Sequence, residues 1–163
     1  KKSFGRLLQS ADMLASRGSL TQARDVATHL KEVWGKDIPE MDHRKLLKLE
    51  ARINMADGSE NTETVKILEE IIKLDPLDGE ALMLLGQHYS RQNEPDRAIF
   101  YYERASSIDA FEVKAKIRHA QVLVSMSRYS DAIPLLRRVQ EIKPLDDIAR
   151  YLEQVERIAK SKR

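Results

Sequence analysis

The chain contains no cysteine, which excludes disulfides, thiol catalysis and cysteine metal knuckles. It leaves the compartment open, because disulfide-free secreted domains exist. Glycine and proline are scarce, 6 and 5 in 163 residues, so the turn-rich, β-branched vocabulary of a sandwich or barrel is missing. Neither sign of charge dominates: Lys+Arg 28 against Asp+Glu 26 leaves a net +2. No stretch approaches the roughly 18 to 20 consecutive apolar residues of a membrane-spanning helix. No charged-then-apolar signal segment opens the chain, and the composition reads as soluble with localisation undetermined. A start at Lys1 rather than Met is expected of a processed form or an excised piece of something longer. What is present is 42% hydrophobic residues, enough to bury a core. Helix formers are spread throughout, so an all-α reading leads.

The chain also repeats. Sliding the sequence by 34 places lays Ala98 on Ala132, Ile99 on Ile133, Arg104 on Arg138 and Asp75 on Asp109, and two shifts take Pro76 onto Pro144. This register defines units 45–78, 79–112 and 113–146, each read as two helices. Leu7, Ala11, Leu14, Gly18, Ala23, Ala27 and Leu30 place a further unit at 4–37, separated from the next by an insert, 38–44. In 45–57 the first-helix register is left open. Turns are predicted at Arg17-Gly18-Ser19, Asp57-Gly58-Ser59, Gln92-Asn93-Glu94 and Met126-Ser127-Arg128. Pro76 and Pro144 disfavour helix in the residue before them and end two units. Asp78, Asp109 and Asp146 or Asp147 are then available as helix caps. Pro95 and Pro134 are placed in the first turn of a second helix, where amide protons lack intrahelical partners. The segment 147–160 carries one apolar stripe and one charged face, as a terminal capping helix requires; the last residues to Arg163 read as a frayed tail.

The motif Leu82-x2-Leu85-Gly86-x2-Tyr89, followed by Ala98-x3-Tyr102-x2-Ala105, resembles the tetratricopeptide repeat (TPR) signature, with Leu82 where tryptophan is usual. Unit 113–146 keeps the chemistry with Ala120, Leu123, Ala132, Leu136, Val139 and Pro144. Gly86, Ala98 and Ala105 are small enough for antiparallel helices to approach at about 8 to 10 Å. The resemblance implies a right-handed superhelical solenoid of about nine helices, with a concave face made by the first helix of each unit. It also implies a non-catalytic scaffold or adaptor.

Enzyme chemistry finds no support. There is no phosphate-cradling glycine loop and no Gly-x-Ser-x-Gly elbow, His29, His43, His88 and His119 never pair at i, i+4 spacing, and no cofactor is expected. Acids and bases interleave on nearly every helix, so no basic stripe offers itself to nucleic acid, and Lys1, Lys2, Lys160, Lys162 and Arg163 read as solubilising ends.

Equivalent positions of the units form rungs. The apolar rung pointing into the expected groove is Leu8, Leu49, Met83 and Ile117; beside it lie Asp12, Ile53, Gln87 and Gln121, with Arg91, Lys114 and Arg118 completing the candidate partner-binding set. An apolar row edged by amides and charges suits a short amphipathic segment of a protein or peptide. Lys114 and Arg118 resemble part of the carboxylate clamp by which some TPR proteins hold an acidic C-terminal tail. Leu49, Ile53 and Leu84 stand where the other clamp members would be, so the full clamp is absent. Phe100 breaks its ladder, aligning with Asp25, Lys66 and Pro134, and marks a candidate second surface. Trp34 reads as a plug beside the insert. The alternatives to a peptide-binding adaptor are a self-associating assembly factor, using the end surfaces or Phe100, and a regulatory subunit of an enzyme complex.

Overall fold

The computed structural model describes residues 2–59 and 61–162; Lys1 and Arg163, read above as solubilising ends, lie outside it. Among the described residues there are nine α-helices, two short 3-10 turns and no strand. The contacts group the chain into two compact units, Lys1–Pro76 and Leu77–Arg163. No helix among the described residues is long and apolar enough to cross a membrane.

The first unit holds α1 (Lys2–Ser16), α2 (Leu20–Trp34), α3 (Glu40–Asp57) and α4 (Thr62–Leu74). Each packs on the next, and α1 also meets α3. Ala11, Ala23 and Ala27, all essentially inaccessible, let α1 and α2 close on each other, and Phe4, Leu8, Leu30, Leu46, Leu49 and Ile53 fill the space between the first three helices. Trp34 and Ile38 seal this core, with the indole edge-on to Phe4 at 5.5 Å between ring centres. Of the expected insert 38–44, only Ile38 and Pro39 are non-helical. Pro39 (φ −58°) precedes the helix, and Glu40 and Asp42 place acids in its first turn, where the positive end of the helix favours them. The extra residues therefore lengthen α3 at its start instead of forming a loop.

A polar network ties α2, α3 and α4 together. Arg24 donates to Asn54 Oδ1 at 2.8 Å and to the Asp57 carboxylate. Asn54 donates to Thr64 Oγ1 at 3.2 Å, and the Thr64 amide donates to the helix-capping Asn61. A hydrogen bond from Ser59, with Arg24 adding its charge, holds the Asp57 carboxyl below the usual carboxylate range.

The second unit holds α5 (Gly79–Arg91), α6 (Pro95–Ser106), α7 (Glu112–Ser125), α8 (Tyr129–Ile142) and α9 (Asp146–Ser161), each packed on its successor. The turns lie where the sequence places them. In three of them an amide reaches back five residues to close the helix end: Ser19 to Leu14, Glu94 to Tyr89 and Arg128 to Leu123, at 2.8–2.9 Å. Asn93 (φ 58°) and Ser127 (φ 61°) take the left-handed conformation in the last two. Ala120, Leu123, Ala132, Leu136, Val139, Ile148 and Val155 form a core to which α9 contributes the last two, so α9 covers the apolar side of α8.

Three terminus assignments differ from expectation. Asp78 caps α5 through the Ala81 amide at 3.0 Å, but Asp109 opens a 3-10 turn, Asp109–Phe111, and α7 begins only at Glu112. Asp146 and Asp147 lie inside the first turn of α9; the turn before it is held by Gln140, whose amide accepts from Leu145 N and donates to Leu145 O. Pro95 starts α6 as expected, whereas α8 starts early, at Tyr129, and puts Pro134 in its second turn, where the missing amide proton leaves the Ser130 carbonyl without its helical donor.

Candidate functional site

The repeat register makes a groove on the second unit. From α5 it takes Glu80, Met83, Leu84 and Gln87; from α7 it takes Lys114, Ile117, Arg118 and Gln121. Both sets follow i, i+3, i+4, i+7 spacing, which is one face of a helix, and each α7 residue lies 34 places after its α5 equivalent. Between the two stripes sits Tyr102 of α6. Phe111 also lines it, as do Leu145, Asp147 and Ile148 at the start of α9. The volume is about 550 Å³, within the range of about 300 to 1,000 Å³ usual for ligand sites.

Polarity is graded across the groove. Leu84, Tyr102 and Ile148 are buried and form the floor. Met83, Gln87 and Ile117 are half-buried walls, and Lys114, Arg118, Gln121 and Asp147 are exposed on the rim. Arg118 donates to Gln121 at 3.2 Å, so the rim is partly ordered. The Tyr102 ring is held by Gly86, where a Cβ would come within 2.5 Å of Tyr102 Cε1. Burial pushes the Tyr102 hydroxyl up to about 12, against the opposing pull of the Arg118 and Arg91 charges. At neutral pH it is therefore a neutral hydrogen-bond donor. Among the described residues, no three or more His, Cys, Asp or Glu gather in a group able to hold a metal ion.

Residues 61–112 match the family model described as tetratricopeptide repeat. The match begins at α4 and runs through α5 and α6, the helices that carry the Leu-Gly-x2-Tyr core. Over that segment the chain is similar to the tetratricopeptide repeat family. Among solved structures, the chain is similar to a thermophilic TPR protein of Thermus thermophilus, with a TM-score of 0.71 and 16% identity over 91% of this chain and 79% of that one. It is also similar to the MamA protein, with a TM-score of 0.64 and 16% identity over 99% and 94% of the respective chains. At such identity the likeness establishes the helical-repeat fold alone. No curated protein matches the chain.

Six of the expected partner-binding residues, Met83, Gln87, Lys114, Ile117, Arg118 and Gln121, come together in this groove. Arg91 lies exposed at the end of α5, near enough for its charge to act on Tyr102. In the first unit the placement differs. Leu8, Leu49 and Ile53 are 8%, 3% and 1% exposed and belong to the core, because α1 and α3 pack directly on each other there and cover the rung. Asp12 is exposed and ion-paired with Arg52. Phe100 is 53% exposed, edge-on to Tyr101 at 5.2 Å and with the Arg104 guanidinium 5.6 Å from its ring centre. Sequence reasoning missed Tyr102, Phe111 and the start of α9 as groove residues. The available signal for α9 was the register itself: Ile148 is 34 places after Lys114.

Proposed function

We propose that this TPR chain is a non-catalytic protein–protein interaction module that holds a peptide segment of its partner in the groove of the second unit. The observation that carries this is the pairing of two equivalent, open helix faces over a buried floor, apolar at Met83, Leu84 and Ile117 and polar at the rim. A core surface would be closed over by a neighbouring helix, as Leu49 and Ile53 are in the first unit. Burying apolar side chains of a peptide against this floor is worth about 1.5 to 3 kcal/mol each, and the rim amides and charges would set its direction. Lys114 and Arg118, one turn apart on α7, supply cations for an acidic partner group.

The test is capture of partners by the intact chain and by a Met83→Glu variant, with circular dichroism as the folding control. Retention of specific proteins by the first and their loss with the second, at unchanged helicity, supports the groove. Identical capture by both refutes it. The exposed Phe100 with its neighbouring Arg104 favours a second reading, self-association through α6. Light scattering at increasing concentration distinguishes the two, since a Phe100→Ala variant would then turn an oligomer into a monomer.

A further inference from the structure

We propose that a second copy of this chain docks on the outer face of α6, antiparallel to it about a two-fold axis at Phe100, with Asp96 of each copy paired with Arg104 of the other. This rests on the second reading above, self-association through α6, and adds the geometry and the charges that specify it.

Asp96, Phe100 and Arg104 are spaced i, i+4, i+8 on α6 and form one row along the helix. Phe100 stands at its centre, 53% exposed, with the Arg104 guanidinium 5.6 Å from its ring centre. Asp96 is exposed and Arg104 half-buried, and neither forms an ion pair among the described residues. The neighbouring Arg97 differs: it is paired with Glu94 at 3.1 Å and lies over the Tyr89 ring at 4.5 Å. The row is particular to α6, because the equivalents of Phe100 in the other units are Asp25, Lys66 and Pro134. An exposed aromatic ring between one acid and one base, both without an ionic partner, is therefore a local addition to the repeat.

The order of charges decides what covers it. Read in opposite directions the row is its own complement, with acid, aromatic and base lying against base, aromatic and acid. Two helices meet most commonly by aligning their i, i+4 rows at a crossing of about 50°. Here that packing sets the two Phe100 rings side by side at the axis and makes two equivalent ion pairs, one on each side. A parallel arrangement would oppose acid to acid and base to base. A self-complementary patch on a two-fold axis is the usual form of self-association. One helix face per copy falls short of the roughly 1,200 Å² of stable interfaces, so the dimer is weak and forms as concentration rises. Asp96, Phe100 and Arg104 do not line the groove of α5 and α7, so pairing through them leaves it uncovered.

The test is sedimentation equilibrium of the intact chain and of its Phe100→Ala, Asp96→Arg and Arg104→Asp variants at concentrations up to about 1 mM. An equimolar mixture of the two charge variants follows, with circular dichroism as the folding control. The expected result is a reversible dimer of the intact chain, weakened about tenfold or more in each variant, since a two-fold axis makes every substitution count twice. Each charge variant alone carries a row of one sign. Mixed, the two rows complement each other, so the mixture should dimerise about as strongly as the intact chain. A mixture that associates no better than its components, or charge variants that dimerise like the intact chain, overturns the antiparallel row. Self-association through α6 then still stands if Phe100→Ala weakens the dimer. An intact chain that is monomeric throughout, or a dimer indifferent to Phe100→Ala, overturns both.

Discussion

Replacing Gly86 with Ala probes the contact on which the second unit depends. A Cβ at this position would lie 2.5, 2.7 and 2.9 Å from Cε1, Cδ1 and Cζ of Tyr102, whereas carbon atoms rest at about 3.5 to 4.0 Å. The ring must retreat by roughly 1 Å, and with Tyr102 2% exposed it moves into packed neighbours. Overpacking of this kind costs about 1 to 3 kcal/mol. Alanine returns about 1 kcal/mol through its better helix propensity, so the substitution alone is worth about 0 to 2 kcal/mol of lost stability. A double-mutant cycle removes that offset. In a Tyr102→Leu background the ring is gone, the methyl group has space, and Gly86→Ala should become neutral or stabilising. The coupling between the two changes should be about 1 to 3 kcal/mol, read from urea unfolding followed by circular dichroism. An equal effect of Gly86→Ala in both backgrounds would refute the idea that the glycine is there to admit the ring.

Further expectations concern the core and the pH response. Ile53→Ala in α3, at a side chain 1% exposed, should cost about 2 to 5 kcal/mol in urea unfolding, and a loss well under 1 kcal/mol would show that the residue belongs to an open face after all. Burial, reinforced by the Lys116 and Arg128 charges and opposed by Glu103, holds the His119 imidazole below its ordinary value of 6.5. As pH falls through 6.5 the unfolded chain takes the proton before the folded chain does, so stability should decline on acidification. Melting temperatures at pH 5 and pH 7.5 should differ more for the wild-type chain than for His119→Gln, and an equal difference would contradict this. Met83→Glu should leave the melt almost unchanged. Ile117→Glu should lower it, because Ile117 packs against the core formed by α7, α8 and α9.

Fold and site were legible to different depths. The 34-residue register located helix pairs and turns because it reads small residues at crossings, such as Gly86 and Ala98, and breakers at boundaries, such as Pro76. Local chemistry then shifted some ends: Pro39 followed by acids started α3 earlier than the register implied, and Tyr129 to Ile133 formed helix ahead of Pro134 at the cost of the hydrogen bond to the Ser130 carbonyl. The groove was legible where the helix stripe alone defines it, at Met83, Gln87, Ile117 and Gln121. It was not legible in the first unit, since a rung position says which way a side chain points and not whether another helix covers it; Leu8, Leu49 and Ile53 are covered. Tyr102 escaped notice because a motif position that packs against Gly86 was read as core alone, although its ring is buried and its hydroxyl edge still meets the groove.

The central claim is that the faces of α5 and α7 receive another polypeptide. Its most direct measurement is the amide chemical-shift change of isotopically labelled protein titrated with a segment of a partner captured by the intact chain. The account predicts the largest changes along Met83, Gln87, Lys114, Arg118 and Gln121. Changes centred instead on Phe100 and Arg104, or confined to the first unit, would contradict it.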